Sequence, residues 1–89
     1  MEEQEEVVLE FPCEFPIKAM GLSRPGFQEL VVEIVANHVS FVSQHSVKRT
    51  ASAKGKYISV TVLITATSRS QLDRIYQDLS DSEDVIMAL

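Results

Sequence analysis

The chain has 89 residues, 45% of them hydrophobic and 24% charged, with one cysteine and no tryptophan. This composition is typical of one small globular domain. It excludes a disordered chain, a disulfide framework and a cysteine-rich zinc site or cluster. No apolar run approaches the length of a membrane span, and the acidic start, Met1-Glu2-Glu3, lacks the basic residues of a signal peptide. We therefore expect a cytoplasmic protein with no cofactor and no metal site.

Charge is distributed unevenly along the chain. The net charge is −5, yet residues 34–72 contain no acid and five bases, which are Lys48, Arg49, Lys54, Lys56 and Arg69. Residues 1–8 are predicted to be an acidic, disordered tail, and residues 9–89 a single domain. Lys48, Arg49, Lys54 and Lys56 form a predicted basic patch, which either keeps the protein soluble or attracts an anionic metabolite or partner. The overall acidity argues against nucleic acid.

The first predicted element is a short strand over residues 15–20. Phe15, Ile17 and Ala19 share one face of this strand. The glycines and proline of residues 21–26 end it.

A helix is predicted next from an apolar stripe at helical spacing. The stripe begins at Phe27 and continues to Val42. Pro25 is expected in the first helical turn, with Ser23 or Arg24 at the N-cap.

A hairpin and a second helix follow. Strands are predicted over residues 46–52 and 57–66, around a turn in which Gly55 supplies a positive φ. The second of these strands has an unbroken apolar face, which places it in the middle of a sheet. Ser68 and Gln71 form a capping box in front of an apolar stripe that begins at Leu72. Residues 84–89 are predicted to form the last strand.

The element order β-α-β-β-α-β predicts an α+β, ferredoxin-like sandwich. We expect a four-stranded antiparallel sheet in the order 4-1-3-2 with both helices on one face. The other face of the sheet is then uncovered. The predicted core consists of Phe15 or Ile17, with Phe27, Leu30, Val31, Ile34, Val60, Val62, Ile64, Leu72, Ile75 and Leu79.

Few residues suit catalysis, metal binding or base stacking. Cys13 is followed by Glu14, and an acidic neighbour disfavours a thiolate. His38 lies on the apolar side of the first helix and His45 begins the basic hairpin, so their spacing is not that of a ligand pair. Tyr57 offers one ring where an RNA-recognition sheet needs two or three. We therefore predict a protein that is not an enzyme.

Two surfaces remain as candidate binding sites. The loop after the first strand combines helix-start amides with a guanidinium, which suits a carboxylate or phosphate. Its candidate ligand residues are Gly21, Ser23, Arg24 and Gly26, with help from Lys54 or Lys56. The alternative is that this loop only turns the chain. The uncovered sheet face mixes apolar and hydroxyl groups, as partner and dimer contacts do, although such a face can also be plainly solvated. Its candidate interface residues are Lys18, Met20, Tyr57, Thr61 and Leu63, with Ile86 beside them.

Several motifs are distributed over nearly the whole chain. They are Leu9-Glu10-Phe11-Pro12, Lys18-Ala19-Met20-Gly21, Lys54-Gly55-Lys56-Tyr57-Ile58-Ser59-Val60-Thr61-Val62 with Ile64, Ala66 and Thr67, Gln71-Leu72 with Tyr76 and Leu79, and Val85 with Met87 and Leu89. Together they resemble the YbeD family of small bacterial proteins over about residues 9–89. This resemblance implies an ACT-like form of the ferredoxin-like fold, similar to regulatory domains that bind amino acids and control metabolic enzymes.

The loop before the first helix also resembles an ACT domain. Arg24-Pro25-Gly26-Phe27 is similar to the Pro-Gly turn with which many ACT domains begin that helix. ACT loops often place an acid before this turn, where the present chain has Ser23-Arg24. Taken together, the resemblance to ACT domains and this difference in the loop favour an acidic ligand over an amino acid.

Two functions follow as hypotheses. The first is a non-catalytic, ACT-like regulatory module that binds a small acidic metabolite or controls a metabolic enzyme, with a homodimer as one expected assembly. The alternative is a protein–protein interaction adaptor that docks an acidic partner on the uncovered sheet face or the basic hairpin and binds no small molecule. Neither nucleic acid nor a membrane is expected as a partner.

Overall fold

The structure, a computed structural model, describes residues 9–52 and 54–89. The predicted tail over residues 1–8 lies outside the described residues. The elements in chain order are β1 (Cys13–Leu22), α1 (Phe27–Ala36), a short 3-10 helix (Gln44–Ser46), β2 (Val47–Ala51), β3 (Tyr57–Ala66), α2 (Arg69–Asp81) and β4 (Met87–Ala88). The last strand is thus much shorter than the predicted range of 84–89.

The strands form one four-stranded sheet in the order β2-β3-β1-β4. Read from the opposite edge, this is the predicted order 4-1-3-2. β1 and β3 make the centre of the sheet, since they pair antiparallel from Cys13 opposite Ala66 to Leu22 opposite Tyr57. β2 and β4 pair antiparallel with β3 and β1 at the two edges. The predicted α+β, ferredoxin-like architecture is confirmed.

One face of the sheet packs against both helices. Its inward side chains alternate along β1 and β3, as the two-residue period of a strand requires. The buried core joins them to the helix stripes and consists of Ile17, Ala19, Ile58, Val60, Val62, Ile64 and Ala66 with Phe27, Val31, Val35, Leu72, Ile75 and Leu79. Leu30 and Ile34, two predicted core residues, are only half-buried against it. Burial of the remaining stripe offsets the weak helix propensity of the valine-rich α1.

The cap of α1 differs from the predicted one. Gly26 is the N-cap, with φ 90° and no side-chain capping bond, so Pro25 lies before the helix rather than in its first turn. A φ in this range is readily available only to glycine. Neither Ser23 nor Arg24 therefore caps the helix.

The end of α1 also differs from the prediction. The helix ends at Ala36, and the C-cap Asn37 donates its N–H to the carbonyls of Glu33 and Ile34. Val42, the last residue of the predicted stripe, still packs against the core, although it does so from irregular chain. Apolar spacing alone therefore did not mark where the helix stops.

α2 begins at the predicted cap. The Oγ of Ser68 accepts the N–H of Gln71 at 3.1 Å. In a standard capping box the Gln71 side chain would accept the N–H of the N-cap Ser68. Here its Oε1 reaches one residue further back and accepts the N–H of Thr67 at 2.7 Å. Its Nε2 donates to the carbonyl of His38 at 2.8 Å. This side chain, on a residue only 8% exposed, thus joins the start of α2 to the segment after α1. No helix in the described ranges is long and apolar enough to cross a membrane.

Candidate functional site

Most groups of the predicted ligand loop between β1 and α1 are already engaged. The N–H of Ser23 donates to the carbonyl of Lys56 at 2.9 Å. A Cβ placed on Gly21 would collide with the ring of Phe27 and the carbonyl of Asp84, so this glycine is needed for close packing. Gly26 supplies the positive φ of the N-cap. These contacts explain the residue types in the loop without a ligand.

Arg24 is the charged side chain of this loop, and a carboxylate lies next to it. Its Nη1 lies 3.7 Å from Oδ1 of Asp84, and the two side chains are both about half exposed. Arg24, Gly26 and Asp84 line a cavity of about 130 Å³ that Gly21 and Ser23 do not reach. An acidic ligand would have to compete with Asp84 for the guanidinium, whereas a small zwitterion would find a partner for each of its charges. The acid that the loop sequence lacks is thus supplied by the segment before β4.

The predicted interface residues lie together on the sheet face opposite the helices. Lys18 is opposite Thr61, and Met20, Tyr57 and Leu63 continue the same face by strand alternation. We call this surface the open face. Tyr57, Leu63 and Met87 expose 37%, 40% and 49% of their surface. Met87 is the β4 residue opposite Met20, so it takes the position on this face that was predicted for Ile86.

The predicted basic patch divides between the two sides of the sheet. Lys48 is opposite Thr61, which is in turn opposite Lys18, so a row of Lys-Thr-Lys crosses three strands of the open face. At a strand spacing of about 4.8 Å, the two lysine Cα atoms are roughly 10 Å apart. Arg49, one residue later, projects toward the helix side. Lys56 lies in the β2–β3 turn, with its Nζ 5.6 Å from the centre of the Tyr57 ring, which adds a third cation to the open face.

Opposite charges collect on opposite sides of the molecule. α1 contributes Glu29 and Glu33, and α2 contributes Asp73, Asp78 and Asp81, partly balanced by two arginines. Among the described strand residues on the open face, the acidic one is Glu14. It lies opposite Thr65, at the first end of β1 and away from Lys18. The Lys18–Lys48 row therefore lies in the basic half of the sheet.

A groove between α1 and β2 was not predicted. It has a volume of about 540 Å³ and is lined by Val32, Val42 and Val47, with Glu29 and Glu33 on its helix side. The α1 residues that line it, between Gln28 and Glu33, belong to the first part of the helix, and the inner side of β2 next to them is only partly covered.

The structure also joins two residues that are 40 positions apart in sequence. Nε2 of His38 lies 2.5 Å from Oδ2 of Asp78, and the histidine side chain is 17% exposed. A histidine–carboxylate pair becomes catalytic when a nucleophile or metal completes it. In the part of the chain that the structure describes, no hydroxyl or thiol bonds to the His38 ring, and no cluster of three metal-ligating side chains forms. The pair joins the segment after α1 to α2. Nothing in the local sequence indicates it.

Comparison with known proteins places the chain in a family. The family model described as "Protein of unknown function (DUF493)" matches residues 6–89. UPF0250 protein NE1487 of Nitrosomonas europaea is 44% identical over 85 residues, which cover 96% of this chain and 98% of the relative. UPF0250 protein VP0718 of Vibrio parahaemolyticus is 43% identical over 82 residues, with coverage of 92% and 87%.

A solved structure shares the fold. The solution structure of protein HP0495 from H. pylori matches with a TM-score of 0.71 at 17% identity, over 98% of this chain and 91% of that one. The resemblance to the YbeD family is confirmed by these matches. The chain belongs to the DUF493 family, whose bacterial members include the UPF0250 proteins.

Proposed function

We propose that this protein is a non-catalytic, cytoplasmic docking module that binds an acidic segment of a partner protein on its open face. The observation that supports the proposal is the composition of that face. It combines exposed Tyr57, Leu63 and Met87 with the Lys18–Lys48 row. Exposed apolar groups flanked by cations are suited to a protein contact of matching charge.

The charges favour an acidic partner over a second copy of the chain. If two open faces stacked about an axis through the Lys18–Lys48 row, the lysines of one copy would meet those of the other. Like charges brought together at an interface cost several kcal/mol. An acidic segment instead gains about 0.2–1 kcal/mol from each exposed ion pair, and its apolar side chains supply the remaining affinity.

A test of the open face needs a charge reversal away from the sheet edge. Lys18→Glu meets this condition because Lys18 lies on β1, in the centre of the sheet. We expect it to weaken the binding of a blocked ten-residue oligoglutamate by about tenfold, since it loses one ion pair and adds one repulsion. Arg69→Glu is the matched control, because it makes the same change of charge at an exposed position on α2. Equal losses in the two variants would indicate an effect of net charge alone and would refute the docking proposal.

NMR titration of the wild-type protein locates the binding surface. With oligoglutamate we expect amide shifts at Lys18, Met20, Thr61 and Leu63, which weaken as salt is added. Shifts confined to the helices would contradict the proposal.

The metabolite-binding hypothesis stays a second candidate because of the Arg24–Asp84 pair. A guanidinium and a carboxylate 3.7 Å apart at a cavity of about 130 Å³ fit a small α-amino acid better than the acidic metabolite first expected. The same NMR titration with pooled amino acids and pooled small carboxylates distinguishes these ligands. Shifts at residues 21–27 with the amino acids alone support this candidate, and silence there with both pools contradicts it.

A further inference from the structure

We infer that the acidic partner segment pairs with the outer edge of β2 as a fifth strand of the sheet, with acidic and apolar side chains alternating along it. The inference rests on the proposed function, since it states how the same partner is held. β2 is an edge strand of the described sheet. Val47 is half-buried, and the other four residues of the strand, Lys48 to Ala51, are exposed.

The hydrogen-bond pattern of the hairpin fixes which backbone groups of β2 point outward. The N–H of Ser52 donates to the carbonyl of Tyr57 at 2.9 Å, so these opposite residues form a hydrogen-bonded pair. Such pairs alternate along an antiparallel ladder. Lys48 and Thr50 therefore bond to β3, whereas Arg49 and Ala51 direct their N–H and C=O groups to the outer edge. Val47 directs its C=O there, while its N–H donates to the carbonyl of Gln44.

A hydrogen bond on the β1 side of β3 indicates the same alternation of hydrogen-bonded pairs. The N–H of Ser23 donates to the carbonyl of Lys56 at 2.9 Å, which assigns the backbone groups of Ile58 and Val60 to β1. Tyr57, Ser59 and Thr61 are left to pair with β2, in agreement with the hairpin. The outward residues of β2 thus offer two donors, on Arg49 and Ala51, and three acceptors at the spacing that an extended segment requires.

The surroundings of this edge select an alternating sequence. Side chains of an added strand that point to the open face would lie next to Lys48, which favours acids. Side chains that point the other way would enter the groove of Val32, Val42 and Val47 beside α1. Glu29 and Glu33 line the helix side of this groove, so apolar groups are favoured over acids within it. Arg49 projects to the same side of the sheet but does not line the groove.

The same charges disfavour a second copy of β2 at this edge. Two antiparallel β2 strands centred on Arg49 would place their arginines directly opposite each other, with Lys48 of each copy beside them. Like charges directly opposite on paired strands are destabilising. An acidic, alternating segment meets neither repulsion.

Amide hydrogen exchange tests the inference directly. The probe is a blocked heptapeptide in which glutamate alternates with valine, and the control peptide has lysine in place of glutamate. Amides of Arg49 and Ala51 are expected to exchange quickly in the free protein and to become protected when the glutamate peptide binds. Those of Lys48 and Thr50 are expected to be protected in both states. Protection of the outward amides by the lysine peptide, or by raising the protein concentration alone, would overturn the inference.

Ala51→Pro tests the strand pairing by mutation. Proline removes an N–H that the internal ladder does not use, and proline is tolerated on an edge strand. We expect the variant to stay folded and to bind the glutamate peptide about fivefold more weakly, the effect of one lost hydrogen bond. Ala51→Ser, which keeps the N–H, is the control and should bind as the wild type does. If Ala51→Pro unfolds, the amide protection of the wild type decides the question alone.

Failure of the inference is distinguishable from failure of the proposed function. Binding that depends on Lys18 but neither protects the outward amides nor responds to Ala51→Pro would overturn strand addition and retain docking on the open face. Absence of binding by both acidic peptides would overturn both.

Discussion

We predict that replacing Gly21 by alanine strongly destabilises the fold, although the substitution adds only one methyl group. Gly21 lies on the inward side of β1, where the structure leaves no room for a Cβ. The added atom would lie 2.5 and 2.8 Å from two ring carbons of Phe27, and it would also meet the backbone carbonyl of Asp84. Carbon atoms in a protein interior are normally about 3.5–4 Å apart. The ring or the segment before β4 would therefore have to move by about 1 Å.

The expected cost is the cost of overpacking a core. Such insertions typically destabilise by about 1–3 kcal/mol. We expect the upper part of this range, because one obstacle is backbone and the other is the buried first residue of α1. Urea denaturation followed by circular dichroism measures the loss as a lower midpoint with an unchanged slope.

Gly55→Ala separates the steric effect from a general effect of losing a glycine. Gly55 has φ 72°, and a Cβ there would meet no atom within 4 Å. Its substitution should cost only the strain of a left-handed alanine, about 1–2 kcal/mol. Phe27→Leu in the Gly21→Ala background should recover part of the loss, because the ring that collides is removed. If Gly21→Ala is as stable as the wild type, the close packing of β1 against Phe27 is refuted.

Two further predictions concern the polar links between elements. Gln71→Ala should lower the unfolding free energy by about 1–3 kcal/mol, because it leaves the N–H of Thr67 and the carbonyl of His38 without their partner. Urea denaturation measures this loss, and a loss no larger than that of the exposed control Gln77→Ala would contradict the prediction. Tyr76 donates its hydroxyl to the carbonyl of Leu89 at 2.6 Å, and burial raises the pKa of this phenol above its ordinary value of 10.0. A raised pKa in the folded state gives stability that is complete below pH 10.0 and is lost as the pH rises through the folded value, so the stability difference between wild type and Tyr76→Phe should shrink in that range. A difference that stays constant with pH would show that the phenol does not titrate differently on folding.

The sequence determined the fold well where a short-range pattern and the tertiary structure agree. The five-residue apolar face of β3 predicted a central strand, and its complete pairing with β1 confirms it. Ser68 and Gln71 predicted the start of α2 because a cap is formed within four residues. The order of the strands followed from the hairpin and the handedness of the crossovers.

The predictions failed where distant contacts decide the structure. The apolar stripe from Phe27 did not reveal the end of α1, because Val42 remains in contact with the core after the helix has stopped. The last strand was predicted too long at its start, because its pairing depends on β1: Met87 and Ala88 form the strand, and backbone bonds to β1 extend from Ile86 to Leu89 but not to residues 84 and 85. The Arg24–Asp84 pair joins residues 60 positions apart, so no spacing rule indicates it.

Packing explains the residue types on one face of the sheet, and the proposed docking would account for those on the other. The inward positions of β1 and β3 must be apolar, because the two helices bury them. Folding makes no such demand on the open face, where Tyr57, Leu63 and Met87 each keep more than a third of their surface exposed. A face selected for solubility alone would carry hydroxyl groups and charged groups of both signs. The combination of apolar groups with the Lys18–Lys48 row instead supports the proposed contact with an acidic segment, and the outward backbone groups of β2 lie at the edge where that row ends.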